Sequence, residues 1–463
     1  MLEILEPTVT NPIQKKVLVE TWGCQMNIAD SERMLALLHR ENYAVTQSAD
    51  DADLVLLNTC HIREKAKHKI MTRLGVLHGI KKNRPGMKIV VAGCVAQAEG
   101  KKLMEAAPVI DFLIGPSKIN DLPALLKSNR KMSLGFKKDE FSADDVQSLE
   151  TLDEIIPSVS GKNSISRYVN IVQGCNNFCT FCVVPFTRGP EVSRTPQEVV
   201  QEVKKLLRQG AKEISLLGQN VNSYGLDLIA SRTLNSCDRS PFVDLLDLVS
   251  QIPELERLRF TTSNPHDFTK PLADLFKNNK KLGRHMHLPV QSGSDSILAA
   301  MKRKVTVAEY YERIDWLRTA VPDMAISTDL IVGFPGESDD DFAATLDLIE
   351  KVNYSFIFAF KYSPRKNTAA FRFRNQVDEK VMDMRLAKLN AVQDALTNRQ
   401  IEQQIGQKFE VLFLYESKKT PGIFYGRNEH FRLIRAASTE NLAGQTREVL
   451  ITQGNKVALQ GQI

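Results

Sequence analysis

The chain has no apolar run of the roughly 20 residues that a bilayer-spanning helix needs, which argues against a membrane anchor. Its opening, MLEILEPTVTNPIQKK, lacks the basic-then-apolar order of a secretory leader. Cysteine is scarce: seven in 463 residues, an odd number that fits reduced thiols and metal ligands better than a disulfide framework. Charge of one sign is not in large excess either. A net charge of +6 does not by itself call for a nucleic-acid partner, because solvated basic surfaces are common. With 43% hydrophobic and 25% charged residues, the chain has the composition of an ordinary globular protein. Its length allows about two to four domains. The expectation is a cytoplasmic protein with no membrane association.

Against that background, Cys175, Cys179 and Cys182 stand out within YVNIVQGCNNFCTFCVVP. Three thiolates on one loop after an apolar strand can face a single inorganic core. A 4Fe–4S cube has four irons, so three protein ligands leave one iron open to another molecule. A structural zinc site wants four closed ligands, and no fourth Cys or His lies near the triplet. A disulfide would strand one thiol.

The first 125 or so residues repeat a different pattern. KKVLVETWGC ends in Cys24, ADLVLLNTC in Cys60 and MKIVVAGC in Cys94. Each Cys follows a short β-rich run and precedes a helix-like stretch. The separations, 36 (60 − 24) and 34 (94 − 60), are close to one βαβ unit. Alternation of this kind predicts a doubly wound parallel sheet, with all three thiols at the carboxyl ends of its strands, where such folds bind ligands. Buried small hydrophobes are the bland alternative for these cysteines. Three at equivalent strand ends favour a second cluster.

From about 130 to 160 the chain turns polar, as a linker would. Six strand-like runs follow (SRYVNIVQG, EISLLGQ, RLRFTT, HMHLPVQ, MAISTDLIVGF, YSFIFAFKYSP), separated by helical stretches. They predict an incomplete parallel barrel with chemistry at the strand carboxyl ends. Gln219, Asn220, Gln291, Ser292 and Asp329 fall at or near those ends and are candidates for holding a small cofactor. Gly333, Pro335 and Gly336 mark a tight turn. A long helix precedes Gly406, after which short strands predict a small β-barrel. Lys302, Arg303 and Lys304 form one basic cluster. Lys361, Arg365, Lys366, Arg372 and Arg374 form another, interleaved with Phe371 and Phe373, a pattern suited to a phosphate track with stacking platforms. Arg427, Arg432 and Arg435 beside Phe431 suit RNA contacts in the same way.

Cys-x3-Cys-x2-Cys with Phe181 before its last thiol resembles the signature of the radical S-adenosylmethionine (SAM) superfamily. With TWGCQMN, NTCHIREKA, AGCVAQ, HLPVQSGSDSIL, STDLIVGFPGE and YSPRKNTAA, the chain resembles the radical-SAM methylthiotransferases over nearly its whole length. CTFCVVPFTRGPEVSR is most similar to the type that modifies tRNA. The resemblance implies an α/β methylthiotransferase domain over 1–130 with an auxiliary cluster on Cys24, Cys60 and Cys94. A linker over 131–160 follows, then a partial (β/α)6 radical-SAM barrel over 161–400 and a TRAM-like β-barrel over 401–463. It implies two 4Fe–4S clusters and SAM as cofactors, and sulfur and methyl insertion at carbon 2 of an isopentenylated adenosine beside the anticodon. Its partners would be a tRNA anticodon stem-loop, an electron donor and a sulfur donor, acting on a monomer. The alternatives are a threonylcarbamoyladenosine tRNA, a ribosomal-protein aspartate, or an RNA-binding protein whose clusters only support folding. GLDLIASRTLNSCDRSP, holding Cys237, reads as an insertion with a spare thiol.

Overall fold

The computed structural model describes residues 14–61, 64–136, 165–235 and 239–463. Most of the expected linker and Cys237 lie outside the described residues. The chain divides into two compact units, Met1–Gly161 and Lys162–Ile463. No helix among the described residues is long and apolar enough to cross a membrane.

The first unit is built on six strands: β1 (Lys15–Trp22), β2 (Tyr43–Val45), β3 (Leu54–Thr59), β4 (Lys88–Gly93), β5 (Phe112–Ile114) and β6 (Met132–Ser133). All pair in parallel in the order β2-β1-β3-β4-β5-β6, the doubly wound arrangement that the alternating pattern predicts. The central strands β3 and β4 read LVLLNT and KIVVAG, near-continuous apolar runs. That is the signature of strands covered by helices on both faces. Two separate cores confirm it. One gathers Val55, Leu57, Ile89 and Val91 with Leu74 and Leu77; the other gathers Leu54, Leu56, Val90 and Ala92 with Met34 and Leu38. Residues 132 and 133, within the stretch read as linker, form the sixth strand.

In the second unit, β7 (Ser166–Asn170) leads into the cysteine loop, which is bracketed by the short β8 (Val172–Gln173) and β9 (Val192–Ser193). Then come β10 (Glu213–Leu217), β11 (Arg257–Phe260), β12 (His285–His287), β13 (Ala325–Val332) and β14 (Phe356–Lys361). Apart from the short β8–β9 pair, these are the six expected strands, in two parallel sheets ordered β11-β10-β7 and β12-β13-β14. A bridge at Leu258 and Leu282 spans the step between β11 and β12. Helices such as Pro196–Arg208 and Val307–Ala320 cover the outside, each opened by a capping box on Thr195 or Thr306.

Five antiparallel or mixed strands close the small barrel: β15 (Lys408–Glu416), β16 (Ile423–Asn428), β17 (Leu433–Ala437), β18 (Thr446–Gly454) and β19 (Leu459–Gln462). Their alternating inward residues, among them Val411, Phe413, Phe424, Ile434 and Val449, form its core.

The turn between β16 and β17 departs from its sequence reading. Arg427, Phe431 and Arg432 do not form an outward RNA grip; they pack against the six-stranded partial barrel. Phe431 stacks on His285 at 5.1 Å, and the guanidinium of Arg427 lies 4.2 Å from its ring centre. Arg257 donates to the carbonyl of Arg427 (2.8 Å), and Arg259 to those of Asn428 (2.7 Å) and Glu429 (3.0 Å). Arg432 reaches the carbonyl of Ser355 at 3.0 Å. The partial barrel offers buried donors and an aromatic face here, so the basic and aromatic side chains of the turn are spent on packing.

Candidate cluster sites

In the first unit, topology brings the thiols together. Trp22 is level with Thr59, and Thr59 with Gly93, on adjacent strands. Cys24, Cys60 and Cys94 therefore leave three neighbouring strand ends, each step about 4.8 Å across the sheet. The order reverses between β1 and β3, the switch point where doubly wound sheets open a crevice. Cys60 donates its amide to the Trp22 carbonyl at 2.9 Å, and Cys24 caps the helix Gln25–Arg40.

Two buried amides fix this edge, and sequence reasoning passed over both. The Asn27 side-chain oxygen accepts from the Cys24 amide (3.2 Å) and thiol (3.4 Å). Asn27 in turn donates to Asn58, which bonds the Asn27 carbonyl and Ser31. Both lay inside the quoted TWGCQMN and NTC segments, but nothing about a lone Asn in sequence says that it faces inward. Gly93 must be glycine: its φ is +89°, and a Cβ would sit 2.5 Å from Asn58 Oδ1.

In the second unit, one loop supplies all three thiols. It is anchored where it leaves the barrel, because Gly174 (φ +79°) donates its amide to the Gln219 side chain at 2.5 Å and packs on Pro190. Phe181 enters a small core of Ile297, Met301, Phe334 and Tyr362 beyond the ends of β13 and β14. Thr180 is held at both backbone ends: its amide donates to Met301 O (3.1 Å) and its carbonyl accepts from Ala370 (2.9 Å). Burial pushes the Cys175 thiol up to about 11 and that of Cys182 up to about 12. Such thiols ionise readily only when a metal replaces the proton.

Arg303 is the residue that sequence reasoning misplaced. Read as part of a basic surface cluster, it is 6% exposed, and its Nη1 donates to Cys179 Sγ at 3.5 Å.

The candidates for a small cofactor divide. Gln219 and Asn220 act as fasteners: Asn220 donates to Asp267 at 2.6 Å and accepts from the Asn264 amide, tying the loops after β10 and β11. Ser292 is fully buried against Thr345 and the Ser294 amide. Gln291 bridges Leu330 with φ +84°, a backbone state rare for a side-chain-bearing residue and frequent at binding sites. Asp329 lies 3.5 Å from His287 and keeps 30% of its side chain exposed. Gln291 and Asp329 thus retain the means to meet a ligand. Glu337, after the Gly333–Gly336 turn, is committed to the Gly333 amide and Arg385.

The lumen of the partial barrel is polar and aromatic. His285 and His287 both bond Ser327 at 2.9 Å, and Phe356 and Phe358 pack on the same face. Burial pushes the Glu213 carboxyl up, but Arg259 and Arg257 outweigh it and hold it below its ordinary value. Enclosure, with Arg259 nearby, holds His285 well below its ordinary value.

All six described cysteines are thiols. Among the described residues, the one group of three potential ligands within 4.8 Å of one another is Asp323, Glu429 and His430. Arg284 already bonds both of those carboxylates. A lone zinc, with Zn–S near 2.3 Å, would draw sulfurs to roughly 3.8 Å. Neither cysteine set is gathered for such an ion; three thiols per set match the donor set of a cube that takes one thiolate per iron. An apolar cleft lined by Met71, Leu74, His78 and Pro108 includes none of the thiols.

Residues 16–115 match the model of an uncharacterised protein family, UPF0004, and residues 169–349 that of the radical SAM superfamily. The chain is 41% identical over 454 residues to a tRNA-2-methylthio-N(6)-dimethylallyladenosine synthase of Geotalea uraniireducens, covering 97% of this chain and 99% of that one. It is 44% identical over 403 residues to the synthase of Desulfotalea psychrophila, covering 86% and 88%. The chain belongs to this family. In fold it is similar to the radical SAM methyltransferase TsrM of Kitasatospora setae, with a TM-score of 0.53, 13% identity and coverage of 75% of this chain and 73% of that one.

Proposed function

We propose that the protein is a tRNA methylthiotransferase, adding sulfur and a methyl group at carbon 2 of an isopentenylated adenosine beside the anticodon. The observation that carries this reading is the pairing of two three-cysteine sets, each at strand carboxyl ends, in a chain about 40% identical over nearly its full length to named dimethylallyladenosine synthases. Cys175, Cys179 and Cys182 would hold the 4Fe–4S cluster that cleaves SAM, and Cys24, Cys60 and Cys94 the auxiliary cluster. When bound, these groups supply a 5′-deoxyadenosyl radical and the sulfur for transfer.

The protein's own residues position and enclose. The cysteine loop is fixed at Thr180 from two sides, so the thiols are set in place before a ligand arrives. Asp329 and Gln291 would meet polar groups of SAM. The amide of Ala370 ties the basic stretch Arg365–Arg374 to that loop, and Lys366, Arg372 and Arg374 remain exposed for a phosphate backbone. Lys361 is drawn away from this track by Glu379 and Asp383. Phe358 and Phe360, 46% and 40% exposed on the strand beside Asp329, offer an apolar platform for the dimethylallyl group. The residues 1–130, 161–400 and 401–463 would act as methylthiotransferase, radical-SAM and TRAM-like domains of a cytoplasmic monomer served by separate electron and sulfur donors.

The nucleoside profile of bulk tRNA from cells lacking the protein tests the reading. Loss of the methylthio group from the dimethylallyl nucleoside, with the unthiolated form accumulating, is the expected result. An unchanged dimethylallyl pool with loss at a threonylcarbamoyl nucleoside would overturn it. Replacing Phe358 and Phe360 together by Ala should lower preference for prenylated over unprenylated anticodon stem-loops by tenfold or more, since each buried CH2 contributes about 0.8 kcal/mol.

A further inference from the structure

A buried guanidinium normally lies against a carboxylate, because an unpaired charge away from water is costly. Arg303 does not. Among the described residues it is hydrogen-bonded to a thiol and a carbonyl and to no Asp or Glu, although it is only 6% exposed. Its Nη2 donates to the carbonyl of Pro289 at 2.5 Å, and its Nη1 donates to Cys179 Sγ at 3.5 Å. Its Nε is buried with no partner.

The backbone is built to deliver it there. Lys302 and Lys304 both lie in the left-handed region, at φ +57° and +51°, where side-chain-bearing residues are uncommon. This double crank leaves the two lysines exposed and turns Arg303 inward between them. The residues just before it hold the cysteine loop: the Thr180 hydroxyl donates to Ala300 O at 2.8 Å and its amide to Met301 O at 3.1 Å. One short segment thus fixes the loop's backbone and places a permanent cation on its middle thiol.

We propose that Arg303 is a positioning residue that serves as resident counter-cation of the cluster on Cys175, Cys179 and Cys182, and that it raises the cluster's reduction potential. The proposal rests on the reading of that triplet as a cluster site. Reduction adds a negative charge, and a fixed cation hydrogen-bonded to a ligand sulfur favours the more negative state. Arginine suits the task because it stays protonated whatever its surroundings.

The test uses the full chain loaded with iron and sulfide under anaerobic conditions, with the potential followed by electron paramagnetic resonance. Cys24, Cys60 and Cys94 are replaced by Ala so that one cluster reports. Arg303→Met should shift the reduction equilibrium at least tenfold toward the oxidised form, which is 59 mV for one electron. Arg303→Lys should recover part of the shift, and Lys302→Met and Lys304→Met should leave the potential unchanged. If Arg303→Met sheds its iron while Arg303→Lys keeps it, charge is what the site requires, which also supports the proposal. An unchanged potential in Arg303→Met, or iron lost from both Arg303 variants, overturns it. If the parent chain holds no iron at the triplet, the cluster reading itself fails, a separate result.

Discussion

The two cysteine sets reach similar ends by opposite routes. Cys175, Cys179 and Cys182 are neighbours in sequence, and their loop must be pinned to become a site: Gly174 fastens it to Gln219, and Thr180 and Phe181 to the region of Met301 and Ala370. Cys24, Cys60 and Cys94 are far apart in sequence, and the pairing of β1, β3 and β4 places them. The first site is encoded locally and depends on tethers. The second is encoded by strand register and depends on the fold.

The largest effects come from separating the sets. Replacing Cys175, Cys179 or Cys182 by Ala should abolish SAM cleavage, measured as deoxyadenosine release. Replacing Cys24, Cys60 or Cys94 should spare cleavage and end sulfur insertion. Anaerobic iron counts should fall from about eight to about four per chain in either series, if both sites hold cubanes.

A glycine on each side sharpens the contrast. Gly174→Ala would put a Cβ 1.9 Å from the Pro190 carbonyl, and Gly93→Ala one 2.6 Å from that of Thr59. Each should lower iron at its own site alone. Equal loss at both sites in either variant would break the distinction between local and topological encoding.

At the base of the partial barrel, Glu213→Gln leaves Arg257 and Arg259 without their buried carboxylate. A loss of about 3–5 kcal/mol in chemical unfolding is expected, with the cysteine loop's iron binding reduced only as the barrel loosens. The smallest effect is a pH dependence. His285 resists protonation in the fold, whereas in the unfolded chain it titrates near 6.5. Its contribution to stability is complete above that pH. It falls as the pH drops, by at most about 1.4 kcal/mol per unit. His285→Gln should flatten the wild-type slope between pH 7 and 5 by that amount.

The sequence carried the six barrel strands, the parallel first sheet and the thiols at its edge, because apolar periodicity and chain spacing dictate them directly. It misjudged Arg303 and the Arg427–Arg432 turn for one shared reason. A basic or aromatic residue in a polar run looks exposed, and only the tertiary fold reveals a sulfur or a ring waiting to receive it. Asn220 and Ser292 show the other side: polar residues at strand ends look like ligand contacts in sequence, and the fold gives them partners of their own in Asp267 and Thr345.

Phe431 has one more consequence, for the order in which the molecule can be made. The residues that stop the lower mouth of the six-stranded cup come later in the chain than all six strands they close. Until they arrive, the cup is an open tube, and Arg257 and Arg259 have only Glu213 to face. A nascent chain that acquired iron before this turn was made would hold its metal in a vessel without a base, so synthesis of the turn also seals the chamber.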